Sequence, residues 1–343
     1  PPEPRIFHGR DSEISDIINS FSQGPPRIAI LGGGGMGRTC LARAVLHHPN
    51  ITAQYQHHRF FVACDSTSTT ADLAAFIASH VGLKTQIDTM HSVVQYFANG
   101  PSGLLVLDNL ETIWEAAHNR GDIETFLSNL TEVPHLALII TMRGAERPGK
   151  VQWTRPFLLP LQPLPYNAAC QTFIDIAEDH HDMKDVDKIL VLTDSMPLAI
   201  DLIAQLVDCE GCPAILAQWE TEKTTLLSDG YNKSFCIQQN LDISISLSLA
   251  SPRITVLPHA RDLLSLLSML PDGVSDTVLL QSKVPIDDIL SCKSALLRTS
   301  LAYIDDKKHL KALVPIREYM QTFHHPPDLL IQPLLKHFRS MLA

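Results

Sequence analysis

Basic residues, long apolar runs and a leading methionine are all scarce or missing from this chain, and each shortage narrows what it does. Its 343 residues hold 27 lysines and arginines against 37 aspartates and glutamates, for a formal net charge of −10. A protein built to coat nucleic acid has a basic footprint, so the acidic excess argues against that partner. No apolar run approaches the roughly 18–20 residues of a membrane span, which argues against insertion in a bilayer. The opening Pro1-Pro2-Glu3-Pro4 has neither a methionine nor a signal-peptide pattern, and reads as the cut edge of a longer chain. Seven cysteines scattered over this length read as reduced thiols of a cytoplasmic protein, not as a disulfide framework. No internal repeat is visible. What remains is enough chain for two or three compact domains, each with its own core.

In the first third, apolar runs at 27–31, 60–64, 104–107, 138–140 and 157–159 alternate with helix-like stretches at 39–46, 72–80 and 123–130. Short, continuously apolar strands separated by amphipathic helices predict a parallel sheet covered on both faces. After about Pro165 the strand signal stops. Residues 167–176, 186–192 and 197–207 carry apolar side chains at helical spacing and predict a small bundle. Residues 210–240 read as a connection containing one helix near 215–226. Further on, 262–270 and 289–297 are amphipathic helices, and short apolar runs at 301–304 and 310–314 flank Asp305-Asp306-Lys307-Lys308, a hairpin signature. Helices followed by a hairpin predict a winged helix. Residues 241–249 alternate with period two, which by itself favours a strand.

The sharpest motif runs from Arg27 to Thr39, where an apolar strand enters Gly32-Gly33-Gly34-Gly35-Met36-Gly37-Arg38-Thr39 and a helix follows from Cys40. The spacing Gly32-x4-Gly37-x-Thr39 fits a phosphate loop, with Arg38 where lysine is expected. Glycines let backbone N–H groups face phosphate oxygens, the helix N-terminus adds partial positive charge, and Thr39 offers a hydroxyl to Mg²⁺. The same glycines, as Gly32, Gly34 and Gly37, also fit the dinucleotide fingerprint, with Asp65 ending the second strand as a ribose-binding acid. The remaining motifs decide between these readings. Residues 103–109 form an apolar strand ending in Asp108, placed to serve Mg²⁺ as a Walker B acid does. Residues 138–140 lead into Thr141-Met142-Arg143, which sets a guanidinium at the carboxyl edge of the sheet, where a terminal phosphate would lie.

In this order the motifs resemble the nucleotide-binding module of STAND-class ATPases, specifically the NB-ARC/NACHT-like modules of fungal proteins related to NOD-like receptors. The likeness includes Phe7-His8-Gly9-Arg10, the phosphate loop, Phe60 to Asp65, Leu104 to Leu110 and Leu138 to Arg143. It continues through Met196-Pro197-Leu198-Ala199 to Pro315-Ile316-Arg317-Glu318-Tyr319. The resemblance implies an α/β P-loop NTPase of the ASCE type, followed by a small helical domain and a winged helix. The boundaries are a linker with an adenine-contacting segment at 1–26, the nucleotide-binding domain at 27–162, the helical bundle at 163–235 and the winged helix at 236–325. Residues 326–343 begin a further region.

It implies ADP or ATP with Mg²⁺ as cofactors, His8 and Arg10 beside the adenine, and Pro197 packed on the base. Gly32, Gly34, Gly35, Met36, Gly37, Arg38, Thr39 and Cys40 would cradle the phosphates. Thr39 and Asp108 would hold the metal, Asp108, Asn109 and Arg143 would line the reacting phosphate, and Arg143 would sense it. In such a module ADP holds the chain closed, and exchange for ATP opens it for assembly with further copies. Effector and sensor domains of the longer chain would be the other partners.

Three departures bear on activity. Arg38 keeps the charge of the expected lysine but not its compact shape. Asn109 stands where many relatives have a second acid, and an amide cannot take a proton from water. At Leu313-Val314, where relatives carry a His-Asp pair, only apolar residues occur. Together they predict slow or absent hydrolysis, so the sequence leaves enzymatic activity open, and they admit a second reading: a nucleotide-independent scaffold with a degenerate loop. The Cys209-x-x-Cys212 pair lacks a second pair at zinc spacing, and the adjacent histidine doublets do not share a helical face.

Overall fold

The computed structural model describes residues 1–65, 67–83, 88–115, 120–178, 181–222 and 241–342. The chain divides into two compact units, Pro1–Gly32 with Gly37–Leu161, and Gly33–Met36 with Gln162–Ala343.

In the first unit, β1 (Arg27–Gly32), β2 (Arg59–Ala63), β3 (Gly103–Asp108) and β4 (Leu136–Arg143) form one parallel sheet in the order β1-β4-β3-β2. β3 is buried at every position and β4 at all but its last. That burial explains why both read as unbroken apolar runs and not as alternating ones. Helices Thr70–His80, Thr89–Asn99 and Arg120–Thr131 deliver Leu73, Ile77, Phe97 and Leu127 to the same core as Leu105, Leu107 and Ile140. Each such side chain contributes about 1.5–3 kcal/mol when fully buried. Thr69 and Asp72 cap Thr70–His80 reciprocally, side chain to backbone in both directions.

The expected fifth strand at 157–159 does not form. The sheet extends past β1 only through a single parallel bridge between Gly32 and Leu161, with the Leu161 N–H donating to the Leu31 carbonyl at 2.7 Å. Pro156, Pro160, Pro163 and Pro165 surround the segment. Prolines have no N–H to give a ladder, so an apolar run alone cannot become a strand there.

The second unit is helical apart from one small sheet. Tyr166–Ala177 packs on Pro197–Glu210, with Met183–Thr193 and Cys212–Glu222 beside them. The helix expected near 215–226 begins earlier, at Cys212; residues 223–240 lie outside those described. Leu241–Leu249 is a helix, against its period of two. Its pattern places apolar residues at every even step, which includes every fourth one, so Leu241, Ile245 and Leu249 share a buried helical face. The Ser248 hydroxyl, also buried, donates to the Ser244 carbonyl at 3.1 Å, so it is not itself left unmet.

Helix Pro258–Ser268 packs on Ile289–Arg298 and Val314–Phe323, and a short antiparallel pair, β5 (Tyr303–Ile304) and β6 (Leu310–Lys311), lies between the last two in sequence. Leu310 also bridges Val274. The second apolar run ends sooner than its sequence suggests, because Val314 with Pro315 starts a helix. Helix Asp328–Leu342 packs on Pro258–Ser268 and Asp276–Gln281.

Two consecutive non-glycine residues, Asp194 (φ 49°) and Ser195 (φ 53°), turn the chain from Met183–Thr193 into Pro197–Glu210. Left-handed backbone costs an ordinary L-residue about 1 kcal/mol that glycine does not incur. Ser195→Gly is therefore expected to stabilise this unit by about that amount. A rightward shift of the urea midpoint would register it, and an unchanged midpoint would contradict it.

Candidate functional site

The sheet order sets the site. β4 lies between β1 and β3, so Gly32, where the glycine loop leaves β1, is the register partner of Arg143. Asp108 closes β3 on the other side of β4. Residues from three distant parts of the sequence thus meet at the carboxyl edge, where open parallel sheets bind ligands.

Thr39 and Asp108 are in direct contact. The Thr39 hydroxyl lies 3.0 Å from each carboxylate oxygen of Asp108. Thr141, completely buried on β4, donates its hydroxyl to Asp108 Oδ1 at 2.6 Å and accepts the Asn109 N–H at 2.9 Å. Burial pushes the Asp108 carboxyl above its ordinary value, and the hydroxyls of Thr141 and Thr39 pull it back. A threonine hydroxyl and a carboxylate are hard oxygen donors, suited to a Mg²⁺ ion that keeps several waters and takes its other ligands from phosphates. Among the described residues no group of three His, Cys, Asp or Glu side chains gathers to hold a metal, so the donor set fits a shared ion and not a protein cage.

The loop needs its glycines at Gly32 (φ 153°), where it leaves β1, and at two further positions. Gly35 (φ 77°) and Gly37 (φ 83°) are left-handed, and Gly37 is the N-cap of helix Arg38–His47. Within the second unit, the Gly35 carbonyl accepts the Leu198 N–H at 3.1 Å, and a Cβ on Gly35 would stand 2.9 Å from the Leu198 Cβ. Met36 is buried, Cys40 is half-buried, and Pro197 is the first residue of helix Pro197–Glu210.

Arg38 is 6% exposed. Its Nη1 donates to the Gly32 carbonyl at 3.1 Å, and its Nη2 stands 4.0 Å from Glu111 Oε1. Burial lowers its pKa, the Glu111 charge opposes that, and Arg143 adds to it. The same Glu111 oxygen accepts from Arg143 Nε at 3.1 Å. One carboxylate therefore serves both guanidiniums, while its Oε2 is buried without a hydrogen-bond partner among the described residues.

Glu111 and Thr141 are the residues that sequence reasoning passed over. A period of two along β4 places Thr141 on the side of Arg143, which was a usable signal. Glu111 had a weaker one, since it sits one turn past the strand. Asn109, expected where a second acid would stand, turns back at φ 57° and donates its amide to Asp65 Oδ1 at 2.8 Å. That turn is what returns Glu111 toward the edge. Asp65, the acid of the dinucleotide reading, is thus engaged by Asn109. Arg10 is buried at the start of helix Asp11–Phe21 and pairs with Glu13 at 3.0 Å; His8 is half-buried just before it. In the second unit, Asp194 Oδ2 accepts the Val314 N–H at 3.2 Å, so a carboxylate caps the helix that follows the apolar Leu313-Val314 pair. Cys212 is buried and Cys209 exposed.

Residues 2–149 match the family model described as novel STAND NTPase 1. The segment that carries the site is similar to STAND-class P-loop NTPases. Among solved structures, the chain is similar to the Walker-type ATPase of Pyrococcus abyssi, at 11% identity and a TM-score of 0.61, covering 94% of this chain and 98% of that one. It is also similar to Cdc6p from Pyrobaculum aerophilum, at 13% identity and a TM-score of 0.52, covering 100% of this chain and 97% of that one. At such identities the likeness is one of fold, that of the P-loop ATPases. No curated protein matches the sequence. Among the described residues no helix is long and apolar enough to cross a membrane.

Proposed function

We propose that this chain is the nucleotide-binding module of a signalling STAND protein, an ADP/ATP switch that hydrolyses ATP slowly or not at all. The contact between Thr39 and Asp108 carries the reading: the threonine that ends the glycine loop touches the acid that ends β3. In this reading the loop glycines, Met36, Arg38 and Cys40 hold the phosphates, and Thr39 with Asp108 holds Mg²⁺. The ion would neutralise charge building on the terminal phosphates. Arg143 senses the third phosphate, and His8, Arg10 and Pro197 attend the base.

Glu111 then supplies the carboxylate that Asn109 lacks, next to Arg143. The helices and the β5–β6 hairpin of the second unit support a helical domain followed by a winged helix that acts as a lid. The finer likeness to fungal NB-ARC/NACHT-like receptors, the cytoplasmic location and assembly with further copies in the ATP state belong to the same proposal.

One observation favours the scaffold reading. Arg38 donates to the carbonyl of its own loop and stands beside Glu111, so its charge is already answered by protein groups. Both readings meet in one experiment: purify the chain without added nucleotide, denature it and identify what is released. About one equivalent of ADP or ATP, together with a loss of Mg²⁺-dependent ATP binding of about tenfold or more in Thr39→Ala (roughly 1.4 kcal/mol), is the expected result. An empty, folded protein that ignores ATP and ADP leaves the scaffold; displacement of ADP by NAD would return the dinucleotide reading.

A further inference from the structure

The first unit holds a cavity of about 160 Å³ at the opposite end of β1 from the glycine loop. It is lined by Arg27, Ile28 and Ala29 of that strand, by Asp16 and Asn19 of helix Asp11–Phe21, and by Arg147 and Arg155. Arg27 and Gly32 are the two ends of β1, a separation of about 16 Å at the rise of a strand. The cavity is therefore not the phosphate loop seen from another side.

Its charge is unbalanced. Three arginines line it against one acid, Asp16, in a chain whose formal charge is −10. Among the described residues none of the three lies within ion-pair distance of an acid. Arg27 gives one terminal nitrogen to the Thr131 carbonyl, while its Nε is buried without a hydrogen-bond partner. Arg147 reaches only the Leu158 carbonyl, at 3.5 Å, and burial lowers its pKa.

The guanidiniums are also held in place. Arg147 lies 4.1 Å and Arg155 4.8 Å from the centroid of the Phe157 ring. Stacking on an aromatic ring fixes the plane of a guanidinium and leaves its edge N–H groups free to donate. Planar forks of this kind match the oxygens of phosphate and carboxylate. Space of this kind holds one water in about 10–15 Å³, so a volume of 160 Å³ leaves room for a phosphate or carboxylate group.

We propose that this cavity is a second ligand site, which takes a small oxyanion, a phosphate or carboxylate group, between Arg27, Arg147 and Arg155. The oxyanion balances the excess positive charge of the lining arginines. The site stands whether or not the glycine loop binds nucleotide.

Calorimetric titration of the whole chain with inorganic phosphate, and separately with citrate, tests it. Three proteins are compared: the wild type, the double variant Arg147→Gln/Arg155→Gln, and Thr39→Ala in the glycine loop. Arg155 is exposed and Arg147 half-buried, so the double variant is expected to fold, and an unchanged far-ultraviolet melt verifies that. The expected result is binding of one or both anions by the wild type and Thr39→Ala, weakened at least tenfold in the double variant. Trp153, which lines the same cavity, supplies an independent readout: its fluorescence changes with anion in the wild type and Thr39→Ala and not in the double variant. Preference for phosphate or for citrate assigns the ligand's acid group. No binding of either anion to the wild type overturns the proposal. So does binding that survives in the double variant, or binding lost equally in Thr39→Ala, which places the anion in the glycine loop.

Discussion

Asp108→Asn should melt above the wild type in nucleotide-free buffer and below it when Mg²⁺ and ATP are present. The first half follows from the buried charge. The folded state holds the Asp108 proton more tightly than the unfolded chain does, because burial raises its pKa. Between the ordinary carboxylate value and the raised one the native state therefore binds more protons, and stability falls as pH rises through that window. At neutral pH the buried Asp108 carboxyl works against the fold, and an uncharged isostere that still accepts from Thr39 and Thr141 removes that cost. A rise of a few degrees corresponds to about 1 kcal/mol. The advantage should shrink as the pH is brought below the ordinary carboxylate value, where both proteins carry a neutral side chain. The second half follows from mass action. Ligand at 100 times its dissociation constant stabilises the wild type by about 2.7 kcal/mol, and a variant without the metal-binding carboxylate forgoes that gain. Scanning fluorimetry in the two buffers reads both halves; a melting order that never reverses would refute the metal role of Asp108.

The second large effect is expected at Glu111, a residue to which the sequence drew no attention. Replacing it with alanine leaves Arg38, 6% exposed, without the carboxylate 4.0 Å away, and takes the partner of Arg143 as well. Breaking a buried ion pair from one side costs about 3–5 kcal/mol, since the surviving charge stays buried without compensation. Glu111→Ala should lose stability on that scale, read by urea unfolding. The double variant Arg38→Met/Glu111→Ala should recover much of the loss, because the deeply buried charge is gone with its partner, while Arg143 is 23% exposed and keeps access to water. If the two changes simply add, the pair is not coupled and the assigned role of Glu111 fails.

The sequence disclosed most where burial was two-sided. β1, β3 and β4 were readable because a strand covered on both faces must be apolar throughout, and the same logic placed Asp108 and Arg143 at its end. Reading failed where one pattern served two structures. Residues 241–249 alternate as a strand does, yet the same side chains satisfy a helix, and only packing of Leu241, Ile245 and Leu249 decides. Residues 157–159 were apolar enough for a strand, but the neighbouring prolines remove the donors that a ladder needs. Glu111 was hidden for a different reason: its meaning depends on a left-handed turn at Asn109 and on two arginines brought from β4 and from the start of helix Arg38–His47, which no local spacing encodes.

The position of β4 between β1 and β3 has a consequence for the order of events during synthesis. Arg27 pairs in register with Leu138, and Gly32 with Arg143, so the strand that launches the glycine loop waits for a partner that leaves the ribosome much later. Thr39 reaches Asp108, and Asp108 is steadied by Thr141, only after that pairing is made. Parallel pairings between distant segments form slowly, because the loop-closure entropy is lost before any contact is gained. A nascent chain released before β4 would carry the whole glycine motif and still be unable to build the pocket around it. The joining of Thr39, Asp108 and Thr141 thus reports completion of the sheet, and a chain stalled short of Arg143 lacks the register that brings them together.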